Sequence, residues 1–307
     1  MLIVHNKVYN DSCKTKYKGD NNMSSQDKIA LITDTSCDLP QEIIDKYNIH
    51  LLPLKIIYKD REYDDRLEIS PEEIYARFAE EVPTTSMASR GTATKLFESL
   101  RDQGYKKVLA ILLSSGLSAT YEMVENLSKE FSDMDIRVVN SKSLSIGLGF
   151  LVMEGAKLIE ENKLQFEEII ENLEEASKKI NLFYAVSTLE YLQKGGRIGL
   201  VAATIASFID LKPIISINEE GKYYSHTKVR GRKKSIAKII EIIEEISAGK
   251  NINIAVMHGD AEEEGLKIKE HFEKKANVKE IFFGQISPAL VVHTGPGLVG
   301  ICYQLVD

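Results

Sequence analysis

A two-domain α/β fold is predicted by three observations. From Lys28 onward, short β-rich runs alternate with amphipathic helices. The spacer Glu-Glu-Asn-Lys at 160–163 breaks that series in two. In the second part, two strand-like runs flank Asn-Glu-Glu-Gly at 218–221, the pattern of a hairpin with a glycine-containing loop. Residues 28–163 are therefore expected to form a domain with a mostly parallel sheet and helices on both faces. Residues 164–307 are expected to form a mixed α/β domain with some antiparallel pairing.

The elements follow in order. Residues 1–27 are rich in Lys, Asn, Asp and Ser from Asn10 to Asp27 and are expected to be a flexible extension, upstream of a more natural start at Met23 or added as a tag. Residues 29–33 read as a strand ending in Asp-Thr-Ser-Cys-Asp at 34–38. A helix over 39–47 begins at Pro40, where a missing N–H costs little. Residues 49–58 form one extended run. Ser70-Pro-Glu-Glu73 starts a helix, with a hydroxyl cap, a proline at the first position and an acid at the third. A further helix begins near Arg90. Strands over 107–113 and 136–140 alternate with helices over 117–131 and 145–161. Beyond the spacer come helices at 166–180 and 188–193 around a strand at 182–187, and then a helix at 198–209. Strands at 213–218 and 222–229, helix 233–247, strand 252–257, helix 261–275, strand 278–283 and a last segment from 288 complete the chain.

Composition excludes several classes. At 307 residues and 43% hydrophobic content the chain can build real cores and is too apolar to be disordered. A net charge of −7 leaves no basic stripe for a nucleic acid. The run Lys228-Val-Arg-Gly-Arg-Lys-Lys234 reads as the solvated start of a helix. Three unpatterned cysteines, Cys13, Cys37 and Cys302, suggest a reducing, cytoplasmic home, with Cys37 and Cys302 buried and inert. No apolar run approaches the roughly 18 residues of a membrane helix.

Three short segments beside apolar runs carry the functional signal: Pro-Thr-Thr-Ser-Met-Ala-Ser at 83–89, Ser-Ser-Gly-Leu-Ser-Ala-Thr-Tyr at 114–121, and His-Thr-Gly-Pro-Gly at 293–297. Hydroxyls and backbone N–H groups can grasp an anionic oxygen without a formal charge. None of the three contains a Walker lysine, a nucleophile-elbow glycine pair or a metal-ligand cluster, so no cofactor is expected. Four hydroxyls at Thr84, Thr85, Ser86 and Ser89 exceed what one helix cap needs. The 114–118 loop places hydroxyls and donors at a helix N-terminus, a ready anion site. His293 is held by a Gly-Pro-Gly loop, with Thr294 beside it. Asp34 and Asp38 read as a turn that caps the next helix, with ligand contact at a strand's carboxyl end as the alternative. His258 is read as structural. Arg197, Arg230 and Arg232 read on sequence alone as solubilising charges, although the arginine fork suits carboxylate or phosphate.

In order and spacing these segments, with Ile-Thr-Asp-Thr-Ser-Cys-Asp-Leu-Pro at 32–40 and Gly-Gly-Arg-Ile at 195–198, resemble the DegV family from about Lys28 to Tyr303. That group includes FakB, the fatty-acid-binding subunit of bacterial fatty acid kinase. The resemblance implies a DegV-like two-domain fold with a long-chain fatty acid buried between the domains. It implies a carboxylate held by Thr85 and a serine of the loop, Ser115 in preference to Ser118, near His293 and Thr294. A kinase subunit would phosphorylate the bound acid to an acyl phosphate, with Arg197 and Arg230 serving the kinase encounter or the phosphoryl step. The expected partners are thus a long-chain fatty acid, a fatty acid kinase subunit and, transiently, a membrane surface. Met87-Ala88 stands where the family commonly has Gln-Pro, Ala119 where it has glycine, and Asn140 where it has aspartate.

The implied protein is a lipid carrier, not an autonomous enzyme. A sixteen-carbon chain buries about 14 methylenes at about 0.8 kcal/mol each, roughly 11 kcal/mol gross before association costs. A few neutral hydroxyls then suffice to orient the head. Two rivals stand beside it: a serine hydrolase using Ser115 or Ser118 with His293 and Asp34, and a lipid-responsive regulatory protein. Gly116-Leu-Ser118-Ala-Thr120 lacks the second glycine of a nucleophile elbow.

Overall fold

The computed structural model describes residues 28–204 and 211–306. Strand β1 (Ile29–Asp34) leads through a 3₁₀ turn (Thr35–Cys37) to α1 (Gln41–Lys46). Next come β2 (His50–Leu52), β3 (Lys55–Ile57), β4 (Glu62–Asp64), α2 (Pro71–Arg77) and β5 (Thr84–Ser86). The first half closes with α3 (Arg90–Asp102), β6 (Lys107–Leu112), α4 (Thr120–Ser128), β7 (Asp135–Asn140) and α5 (Ser145–Glu161). The second half opens with α6 (Phe166–Lys178), β8 (Ile180–Ala185), α7 (Glu190–Lys194) and a 3₁₀ segment (Gly199–Thr204). It continues with β9 (Leu211–Ile217), β10 (Tyr223–Arg230), α8 (Arg232–Ile246) and β11 (Asn251–Gly259). It ends with α9 (Glu262–Glu273), β12 (Val278–Gln285), α10 (Pro288–Thr294) and β13 (Leu298–Val306).

The strands form a parallel four-stranded sheet in the order β2-β1-β6-β7 and a mixed six-stranded sheet in the order β10-β9-β8-β13-β11-β12. This is the α/β class that the strand–helix alternation predicts. The hairpin at 218–221 joins β9 and β10, closed by Gly221 N–H donating to Asn218 O, with Gly221 at φ +76°. Ser70 and Glu73 form the expected capping box at the start of α2.

Several elements differ from expectation. The run 49–58 is two strands in two sheets: Pro53, lacking an N–H, separates β2 from β3. β3 pairs with β4 and β5 in a small antiparallel sheet, so Thr84–Ser86 is a strand and only Ser89 caps α3. The helix expected from 117 begins at Thr120, because 114–118 is a turn of its own. The helix expected over 198–209 is a 3₁₀ segment as far as Thr204, and 205–209 lie outside the described residues, as does the 1–27 extension. The last segment is α10 followed by β13, which inserts between β8 and β11. Cys37 and Cys302 are buried free thiols whose pKa values burial pushes up, to about 12 for Cys37. Among the described residues no helix is long and apolar enough to cross a membrane.

Helix α5 joins the two halves. Ten of its 17 residues are buried, and it packs against β1 and β6 on one side and β8 and β13 on the other. Such an all-round apolar helix belongs inside a core. Gly149 lets it approach the first sheet closely: a Cβ there would stand 2.6 Å from Cys37 O. One hydrophobic cluster runs continuously from Ala30 to Cys302 across both halves.

The second tie is polar. Asp38 Oδ1 accepts from Ser287 N–H at 2.8 Å, and Asp65 Oδ1 accepts from Ala289 N–H at 2.9 Å. These donors flank Pro288, which has none, so two carboxyls from the first half satisfy the N-terminus of α10 in the second. Asp38 Oδ2 also accepts the Ser145 hydroxyl at the start of α5. Burial pushes the Asp38 pKa up to about 7 and that of Asp65 to about 6, while the hydrogen bonds and nearby Arg66 oppose the rise. A carboxyl whose pKa is raised by folding takes up a proton as the chain folds. Its contribution therefore favours the fold at acid pH and is lost as pH rises from the usual 3.8 through about 7. Asp38→Asn removes that proton uptake. In urea unfolding, the stability of the variant relative to wild type should rise between about pH 4 and about pH 7 and level off above. A pH-independent difference would contradict this account.

Candidate functional site

The hydroxyl segments meet where the two halves face each other. Strand β5, held by β3, presents Thr85, and the last turn of α10 presents His293. The Thr85 hydroxyl lies 2.6 Å from His293 Nε2. His293 is thus fixed by a helix, not by the Gly-Pro-Gly loop, whose Gly295 at φ +65° ends that helix. On the other side of the imidazole sits Gly195, in the turn after α7. A Cβ there would stand 2.1 Å from His293 Nδ1.

Contacts continue from Gly195 in a closed ring. Arg197 Nη1 donates to Gly195 O at 2.8 Å, and its Nε donates to Leu117 O at 3.3 Å. Next to Leu117, the Ser118 hydroxyl lies 3.0 Å from that of Thr120. Thr120 Oγ1 accepts Ala88 N–H at 3.4 Å, and Ala88 returns the chain to Thr85. Thr85, His293, Arg197 and Ser118 are thereby linked through one series of contacts. Arg197 is half-buried and bridges two backbone carbonyls, so it is not the solvated charge its sequence setting suggests.

The electrostatics of the ring suit an anion that brings its own charge. Burial, reinforced by the Arg197 guanidinium, lowers the His293 pKa to about 3, so the imidazole is neutral at ordinary pH. Nothing among the described residues pairs with His293 Nδ1. A hydroxyl and a neutral imidazole can each donate one hydrogen bond, and Arg197 supplies the only formal charge among the four ring residues.

Behind the ring lies an apolar channel. It runs between the start of α5, one face of α10 and strands β8 and β13, with about 440 Å³ of atom-free space, part of it open to solvent. Only about 40 Å³ of it admits the centre of a water molecule, so it is narrow. Thr294, the residue after His293, lines it, with its hydroxyl bonded back to Leu290 O at 2.9 Å. Leu290 and Thr294, four apart on α10, line the channel together with Ile286, just before the helix.

Other expected site residues sit apart. The Ser115 hydroxyl accepts from Asn140 Nδ2 at 2.7 Å, at the end of β7. The backbone donors of the 114–118 turn are spent within the fold: Ser115 N–H on Asn140 Oδ1, Gly116 N–H on the Ser114 hydroxyl, and Leu117 and Ser118 N–H on Ser114 O. Ser114 in turn donates to Gly221 O across the halves at 2.7 Å. Arg230 is exposed at the far end of β10, seven residues or about 23 Å along the strand from Tyr223. Asp34 is fully buried, its oxygens taken by Ser36 and by Leu113 N–H. With Nε2 of His293 on Thr85, the relay a serine hydrolase needs from Asp34 through His293 to Ser115 or Ser118 is not assembled. Gly195 and the Asp65 anchor of α10 were not legible as site-forming residues, because each acts through a partner roughly a hundred or more positions away in sequence.

Comparison with known proteins agrees with this architecture. The model of the DegV family, described as an uncharacterised protein family, matches residues 28–305. A DegV domain-containing protein of Clostridium acetobutylicum is 43% identical over 275 residues, covering 90% of this chain and 98% of its own. Two solved structures are similar throughout. One is DegV of Bacillus subtilis, described as a fatty acid binding protein, with a TM-score of 0.84 at 31% identity over 91% of this chain and 99% of that one. The other is a DegV family protein of Thermus thermophilus, described by its fatty acid binding, with a TM-score of 0.85 at 27% identity and the same coverage.

Gly195→Ala tests the ring's packing. The methyl group would collide with the imidazole, so the variant should lose about 1–3 kcal/mol of stability, measured by urea unfolding. Unchanged stability would mean that His293 is not held as described.

Proposed function

The chain belongs to the DegV family, and from that premise we propose that it binds one long-chain fatty acid in the apolar channel. The carboxylate would lie at the ring of Thr85, Ser118 and His293, with Thr294 at the channel's head. One observation carries the reading: a narrow apolar channel is lined by Thr294, the residue that follows His293, and the neutral imidazole of His293 meets the Thr85 hydroxyl. An alkyl chain with a carboxylate at one end has that same division of character. The relatives described as fatty acid binding proteins support the ligand class. Burial of the chain supplies most of the affinity, while the ring orients the head.

The protein would act in the cytoplasm as a carrier and present the carboxylate to a fatty acid kinase subunit for acyl-phosphate formation. Arg197 supports this extension, since its guanidinium stands beside the ring where a charge-assisted contact with a phosphoryl group can form. Arg230, exposed and remote, would serve only as a contact for the partner. Ser115, tied to Asn140, would shape the loop that carries Ser118.

Mass spectrometry of an organic extract from the purified protein should find a fatty acid at near-stoichiometric amount. Delipidated protein should rebind palmitate or oleate at micromolar concentration. Absence of lipid together with absence of rebinding would overturn the proposal. Thr85→Ala should weaken that binding only about two- to tenfold, the worth of one neutral hydrogen bond. Acyl-phosphate formation with a kinase subunit should fall further, because transfer depends on head placement. Abolished binding with normal transfer would contradict this division of labour.

A further inference from the structure

The tail end of the channel abuts a second, larger space. A cleft between the halves, with about 1460 Å³ of atom-free space, is walled by the 66–73 segment on one side and by β12 and the start of α10 on the other. Ile146, Met257 and Ile286 line both the channel and this cleft. Each is at most 4% exposed, so together they are a partition one side chain thick. Beyond it, Leu39, Ile69 and Phe282 give the cleft an apolar floor.

The channel is short for the ligand proposed. From Thr294 to Pro288, six residues at helical rise span about 9 Å, and the two extended residues back to Ile286 add at most about 7 Å. An extended sixteen-carbon chain measures roughly 19 Å, at about 1.25 Å per carbon for ~1.5 Å bonds in a zigzag. About twelve carbons span the distance to the partition, and the rest need a way past it. Met257 is the side chain able to give way. Its three rotatable bonds adapt to irregular space. Its neighbour across the β11–β12 pair is Gly284, which has no side chain, and Met257 Cε lies 3.5 Å from where a Cβ on Gly284 would stand.

We propose that Ile146, Met257 and Ile286 form a chain-length gate, through which the terminal carbons of a long acyl chain pass from the channel into the cleft. The gate rests on the fatty-acid reading and adds to it the determinant of chain length. Acids of ten carbons or fewer should end before the gate and be indifferent to it. Longer acids should depend on Met257 leaving its present place over Gly284.

The test compares delipidated wild type, Met257→Phe and Ile286→Ala by competition among saturated acids of about ten to eighteen carbons, read by native mass spectrometry. Met257→Phe should lose affinity for acids of sixteen and eighteen carbons by about tenfold or more while keeping wild-type affinity for decanoate. Ile286→Ala should move the preference toward the longer acids, which keeps the test decisive if the bulkier variant does not fold. Decanoate binding reports that each variant retains its site. Wild type binding no acid of any length would overturn the fatty-acid reading and the gate with it. Wild type binding acids, with the same order of chain-length preference in both variants, would overturn the gate alone.

Discussion

Everything at the site hangs on how α10 is held. Its N-terminus is fixed by Asp38 and Asp65, buried carboxyls from the other half of the chain. Its last turn is fixed by Thr85 through His293. A helix of seven residues has little stability of its own, so these two attachments decide where it lies. Once placed, it puts Leu290 and Thr294 on the wall of the channel and holds the imidazole against Thr85. The same attachments tie the two halves together beside the channel.

The arrangement separates affinity from orientation. An apolar channel takes up a hydrocarbon chain without regard to direction. Direction comes from one end being polar. A neutral imidazole and hydroxyls suit that task, because a buried cation would itself be costly to desolvate. Arg197 keeps its charge at the rim, held by two backbone carbonyls, and lowers the His293 pKa from there. A carboxylate arriving at the ring would oppose that effect and favour donation from the imidazole.

Much of the architecture was legible in the sequence, and the exceptions have physical causes. Amphipathic helices and buried strands carry their own periodicity, so α3, β6 and β11 could be read locally. β4 and β5 could not: Glu-Tyr-Asp and Thr-Thr-Ser have no apolar alternation, and they are strands because β3 offers them an edge. α10 was hidden because Ala289 to Val292 is uniformly apolar, which suits a buried helix or strand equally. Thr85, Ser118 and His293 stood out as hydroxyls and a histidine among apolar runs; the fold joins Thr85 to His293 directly, while the Ser118 hydroxyl meets Thr120. Ser115 carried the same signal and faces Asn140 instead, a choice made by the turn at 114–118. Asp65 and Gly195 gave no signal, since an aspartate in a polar stretch and a glycine in a turn are ordinary until their distant partners are known.

The central claim is that a fatty acid carboxylate sits against Thr85 and His293, and the most direct measurement watches that carboxylate. Palmitate isotope-labelled at its carboxyl carbon can be titrated into delipidated protein and followed by NMR. The account predicts one bound resonance that saturates at a single equivalent, displaced from the free acid, and moved again in Thr85→Val and in His293→Gln. A bound resonance that neither substitution moves would place the head group elsewhere and contradict the account.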